Sequence, residues 1–159
     1  MDPVISNDVI MPGEVLHAFQ QRLVNSGGVV SFTGQVRPVN SSGIPVKHLH
    51  LQAHPTLTLG GLVRAVTEAN ARWPLEAAAI HHRIGDIASG DTIVFVAAAS
   101  AHRRAAFEAA DYLMDYLKTR AVFWKKEVTE CGAEWIEPRQ TDHADFSRWT
   151  LEGPRHARH

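Results

Sequence analysis

Apolar residues recur every three or four positions at the start of the chain and every second position soon after, and that change of period marks a passage from helix to strand. Leu16, Phe19 and Leu23 share one stripe in "PGEVLHAFQQRLVNSGG", which begins beside Pro12 and stops at Gly27 and Gly28, the punctuation of a helix. "VVSFTGQVR" then reads as a β-branched strand, and "PVNSSGIP" has the composition of a loop. In "VKHLHLQA" the alternation is strict. Lys47, Leu49, Leu51 and Ala53 fall on one side and Val46, His48, His50 and Gln52 on the other, which predicts a half-buried strand. The helical period returns in "LTLGGLVRAVTEANARW", where Leu62, Val66, Ala69 and Trp73 align and Pro74 closes the element.

Two strands, "AAAIHHRI" and "TIVFVAAA", flank the "SGD" turn. A helix follows from about Ser100, a good N-cap candidate, to Arg120, with Phe107, Ala110, Met114, Leu117 and Ala121 in a core-facing stripe. "VFWKKEVTE" and "EWIEPR" read as two further strands joined by a tight turn around "CGA". The order is therefore α-β-β-α-β-β-α-β-β. Adjacent strands packed by helices predict an α+β domain with mainly antiparallel sheet. One domain over residues 1–150 accounts for this pattern, and the tail 151–159, which lacks apolar periodicity, is expected to be disordered.

Composition narrows the class. The 159 residues are 45% hydrophobic and 21% charged, enough chain for one buried core. A formal net charge of -1 argues against nucleic acid as the main partner, because that affinity needs many phosphate-neutralising cations. No apolar run approaches a membrane span, the start lacks the basic and apolar regions of a leader, and Cys131 is the one cysteine. A cytoplasmic protein without a disulfide framework is expected. The sequence has no Walker loop, Rossmann fingerprint, G-x-S-x-G elbow or H-E-x-x-H.

What remains is a set of basic positions. His102, Arg103 and Arg104 lie in the first turn of the third helix, where the macrodipole already presents its positive end; an anion there relieves the conflict, and solvation or pairing with Glu108 does so equally well. In "MDYLKTRAVFWKKE", Lys118 closes that helix, while Lys125 stands on a strand between aromatics, where desolvation can tune a lysine for acid, base or nucleophilic work. Phe123, Lys125 and Glu127 share one strand face and Trp124, Lys126 and Val128 the other. His48, His50 and His54, with His81 or His82, have a spacing open to zinc, but no carboxylate or thiol completes the set, and no metal is expected.

"FTGQVR", the run from "WPLEAAAIHHRIGD" through "SAHRRAAFEAADYLMDYLKTRAVFWKKE", and "EWIEPR", in that order, closely resemble the large, catalytic subunit of molybdopterin synthase. The resemblance covers most of residues 28–149. It implies an α/β hammerhead with an additional antiparallel β-sheet. It further implies a sulfurtransferase of molybdenum cofactor biosynthesis that converts cyclic pyranopterin monophosphate to molybdopterin and needs no cofactor of its own. Sulfur would arrive as a thiocarboxylate on the Gly-Gly C-terminus of a small ubiquitin-like sulfur-carrier subunit, within a heterotetramer built on a homodimer of large subunits. The alternative is a paralogue that keeps the fold and binds the carrier without catalysis.

By the same resemblance the catalytic lysines match Lys118 and Lys125. Substrate contacts match Gln35, where the family commonly has lysine, with Val36 and Arg37. Lys126, Glu127 and Arg139 occupy further binding positions. His102 and Arg103 match a pair that serves the pocket of the neighbouring large subunit.

Overall fold

The computed structural model describes residues 2–151. Twelve elements follow in order: β1 (Val4–Ser6), α1 (Pro12–Gln20), β2 (Gly28–Gln35), β3 (Val46–Ala53), α2 (Leu57–Arg72), β4 (Leu75–Arg83), β5 (Gly85–Ala88), β6 (Thr92–Ser100), α3 (Arg103–Thr119), β7 (Phe123–Thr129), β8 (Gly132–Ile136) and α4 (Gln140–Leu151). The strands form two four-stranded sheets, ordered β1-β4-β6-β2 and β5-β3-β7-β8. Every pairing is antiparallel except β1 with β4. The α+β reading therefore holds.

Alternation along β4 and β6 divides the first core. Ala78, Ile80, Val94 and Val96 face Leu62, Ala65 and Ala69 of α2 and Tyr112, Leu113 and Leu117 of α3. The intervening Ala79, Phe95, Ala97 and Ala99 meet Phe19 of α1 on the other side. Alanine predominates where α3 crosses β6, Ala109 and Ala110 against Ala98, and small side chains let helix and sheet approach closely. Leu113 has no exposed surface, so truncating it to alanine costs about 2–5 kcal/mol. The second sheet is held by Val36, Val46, Leu49, Leu51 and Ile87.

The structure departs from the sequence reading in several places. α1 ends at Gln20, leaving Leu23 in a connection whose Val24 and Asn25 amides and Ser26 hydroxyl donate to the Glu76 carboxylate. β3 has a bulge between Val46 and His48 that shifts its phase, so Val46 joins Leu49 and Leu51 in the core and Lys47 turns outward. Ser100 is not the cap of α3: it ends β6, its hydroxyl donating to the Pro74 carbonyl, and His102 holds the N-cap position without a side-chain bond. Phe107 does not face the core but is 62% exposed.

Three elements were not foreseen. β1 is only three residues long. β5 continues from β4 into the other sheet through Gly85, whose φ of +83° is one that side chains rarely adopt. α4 occupies the stretch between the last strand and the expected tail, and its backbone reaches Leu151, the first residue of that tail; 152–159 lie outside the described residues. Among the described residues no helix is long and apolar enough to cross a membrane.

Candidate active site

The C-terminal end of α3 and the start of β7 are joined by three residues, so Lys118 and Lys125 are delivered to one place by two rigid elements. Thr58 helps fix that junction by donating its hydroxyl hydrogen, at 2.5 Å, to the Val122 carbonyl. The place is a cavity of about 640 Å³, within the usual range for a small-molecule site. Gln35, Val36 and Arg37 line it from the end of β2, Glu127 from β7, and Arg139 from the segment after β8. Val39, Asn40, Ser41 and Ser42 of the loop after β2 form a further wall, folded by Asn40, whose side-chain oxygen accepts from the Ser42 and Ile44 amides. Ile93, Val94, Met114 and Leu117 supply an apolar surface.

Charge is distributed unevenly around this space. Lys118 Nζ lies 3.5 Å from Asp142 Oδ1. Lys125 is more enclosed: burial, followed by the nearby Lys118 ammonium, pulls its pKa below the ordinary lysine value, while Asp142 pulls the other way. Asp142 itself is held below the ordinary carboxylate value: burial opposes this, but the Arg139 amide and the Lys118 charge outweigh it. Arg37 is exposed and makes no ion pair among the described residues. The Gln35 amide donates to the Gly90 carbonyl, and the Val36 and Gly90–Asp91 backbones bond to each other, which ties the β2 end to the β5–β6 turn. The arrangement can hold an anion among Arg37, Lys118 and Arg139, and exchange a proton at Lys125.

Three positions suggested by the sequence lie elsewhere. His102 and Arg103 are exposed at the opposite end of α3. A helix of 17 residues spans about 25 Å, far beyond the reach of either side chain to Lys118. Arg104 beside them pairs with Glu108 at 3.5 Å, the unspecialised half of the sequence expectation. Lys126 points to the other face of β7 and lies over the Trp135 ring, 5.4 Å from its centroid.

Among the histidines, a carboxylate is present that the sequence did not reveal. Asp86 of β5 lies 2.5 Å from His50 Nδ1 and 3.7 Å from His48 Nε2. His54 instead turns to the Thr56 and Leu57 amides, and no group of three metal-ligating side chains is formed among the described residues. Cys131 is exposed at the β7–β8 turn.

Two residues escaped the sequence reading: Asp142, which pairs with the cavity's Lys118, and His82, which lines the cavity itself. Asp142 belongs to α4, where it is the third helical residue and accepts a bond from the Arg139 amide at 2.9 Å. That is the reciprocal half of a capping box, and an acid three positions after a helix start was its available signal. His82 is buried against Phe123, and its spacing in the sequence points only to metal ligation.

Residues 5–120 match the family described as MoaE protein. The chain is 50% identical over 123 residues to the molybdopterin synthase catalytic subunit of Escherichia coli strain K12, covering 77% of this chain and 81% of that one. It is 48% identical over 138 residues to the protein of the same name from Pseudomonas aeruginosa, covering 87% and 91%. The structure is similar to the molybdopterin biosynthesis MoaE protein of Burkholderia ambifaria, with a TM-score of 0.79, 37% identity, and coverage of 94% and 98%.

Proposed function

The chain belongs to the MoaE protein family, and from that premise we propose that it works as the catalytic subunit of molybdopterin synthase, a sulfurtransferase that converts cyclic pyranopterin monophosphate to molybdopterin. The observation that carries this reading is the meeting of Lys118, Lys125, Arg37 and Arg139 in one cavity. A cyclic phosphate is anionic, and so is a thiocarboxylate. A cavity whose strongest donors are two lysines and two arginines suits both at once.

Opening the phosphate ring and replacing oxygen by sulfur at two carbons requires negative charge to be stabilised and protons to be moved. Arg37 and Arg139 suit the first task, since guanidinium binds phosphate bidentately. Lys125, with its depressed pKa, suits the second, and Lys118, held by Asp142, can orient the incoming carboxyl-derived group. Sulfur comes from the small ubiquitin-like carrier, so the exposed Cys131 at the hairpin turn has no part in the transfer.

His102 and Arg103 take part through a second copy of the chain, in a homodimer of large subunits within a heterotetramer; their distance from the cavity of their own chain supports this. Glu127 acts as a binding residue in the cavity, whereas Lys126, on the other face of β7, does not reach it. The single domain of residues 1–150 is the unit that does this.

The test combines this protein with a thiocarboxylated small subunit and cyclic pyranopterin monophosphate and measures molybdopterin. Lys118→Ala and Lys125→Ala are each expected to lower the rate by a factor of about 100 or more. Absence of product with a carrier verified on another large subunit would sink the reading in favour of a non-catalytic paralogue.

A further inference from the structure

One polar group in the cavity is not explained by its charge. His82 lies on β4 opposite Val94 of β6, lines the cavity, and exposes 5% of its surface. Its ring stacks on Phe123, with centroids 3.9 Å apart and planes 17° from parallel, and Phe123 is two residues before Lys125 on the same side of β7. The imidazole is thereby fixed in both position and tilt.

Its hydrogen-bonding state is fixed as well. Nδ1 lies 2.8 Å from the Arg83 carbonyl oxygen, a contact that is favourable only when Nδ1 bears the hydrogen and donates it. A neutral imidazole has one ring hydrogen, so Nε2 keeps a lone pair. Burial holds the ring's pKa down to about 4; the Arg83 carbonyl works against this and the Lys125 charge adds to it. At neutral pH the ring is therefore uncharged.

No group among the described residues bonds to Nε2, yet it is not one of the buried, unpartnered side-chain atoms, as His81 Nε2 is. His82 lines the cavity, whose walls also include the apolar side chains of Val94, Met114 and Leu117 and the cationic donor Lys125. An acceptor in such a setting is matched by a donor on a ligand.

We propose that His82 is a ligand-binding residue whose Nε2 accepts an N–H or O–H from the bound substrate and so sets which edge of it lies against Lys125. The inference rests on the cavity being the pterin site. The ligand it selects is a heterocycle with a ring N–H, amino or hydroxyl donor on one edge and an anionic group on another. The basic residues hold the anion and His82 reads the donor edge.

The experiment uses the complete complex with thiocarboxylated small subunit and compares wild type, His82→Phe and His82→Gln. Phenylalanine keeps a ring to stack on Phe123 and removes the acceptor, whereas glutamine places an amide oxygen near the position of Nε2. His82→Phe is expected to raise KM for cyclic pyranopterin monophosphate about tenfold and to lower kcat, because the edge at Lys125 is no longer fixed, and His82→Gln to return both to within about threefold of wild type. An unchanged KM in His82→Phe, or equal losses in both variants, overturns the proposal. Should His82→Phe not fold, nitrogen-15 NMR of histidine-labelled wild type decides: the Nε2 resonance of His82 moves when substrate saturates the complex, and a stationary resonance overturns the inference. A wild-type complex that neither binds nor converts the substrate overturns both this inference and the pterin reading. Turnover by wild type with an unaltered KM in His82→Phe overturns this inference alone.

Discussion

At Lys125, neighbours of opposite charge pull against each other: Lys118 makes the ammonium easier to deprotonate and Asp142 makes it harder, while burial acts in the same sense as Lys118. The sign of each substitution follows. Asp142→Asn lowers the Lys125 pKa further, and Lys118→Ala returns it toward the ordinary lysine value. Because only the free amine reacts, acylation of Lys125 followed by peptide mass spectrometry is expected to begin at lower pH in Asp142→Asn than in wild type, and at higher pH in Lys118→Ala. Reversed order would remove Asp142 from the site. The same depression means that the unfolded chain binds this proton more tightly than the folded one. Lys125 therefore contributes to a stability that rises with pH through the window between its folded value and the ordinary lysine value.

Among the elements, α4 determines whether Asp142 is present at all. Phe146 and Trp149 pack α4 against Tyr112 and Tyr116 of α3. Asp115 of α3 accepts hydrogen bonds from Trp149 Nε1 at 2.7 Å and Arg148 at 2.8 Å, and Arg148 also meets Asp111 at 2.7 Å. On the other side Arg72 of α2 donates to the Trp149 carbonyl. A nearly buried carboxylate serving two donors is costly to remove, because Trp149 Nε1 is left without an acceptor and Arg148 keeps only Asp111. Asp115→Ala is expected to destabilise the protein by about 2–4 kcal/mol. Hydrogen exchange is expected to accelerate across 140–150 while β4 and β6 stay protected. Uniform acceleration would show that α4 is not a separately anchored element.

On the scale of the whole molecule, α3 separates two basic groups along its own length, with Lys118 in the cavity and His102 and Arg103 at the far end. In a symmetric dimer that brings the far end of one α3 to the cavity of the other chain, each site takes residues from both copies. Lys118→Ala and Arg103→Ala, each poorly active alone, are then expected to recover activity when mixed and allowed to exchange subunits. Random exchange restores about a quarter of the sites, since half the dimers are mixed and each mixed dimer has one native site. No recovery after exchange has been verified by native mass spectrometry would confine Arg103 to its own chain and remove it from the site.

Local physics was enough for much of this. Residue spacing located three helices and most strands, because backbone period and punctuation by proline and glycine act over a few residues. It also singled out Lys125 and the basic start of α3, whereas the motif resemblance identified the family and with it Lys118. Other features depended on contacts between distant segments. α4 has only Phe146 and Trp149 as an apolar stripe and becomes a helix by packing on α3. The bulge in β3, the turn of β5 into the second sheet and the outward position of Phe107 depend on neighbouring elements that periodicity does not register. Sequence by itself determined which residues were chemically capable. Tertiary structure decided which of them meet: it brought Lys118, Lys125 and Arg37 together, added Asp142 and His82, and left His102 and Arg103 a helix length away, because a shared cavity is a property of packed elements and not of any one of them.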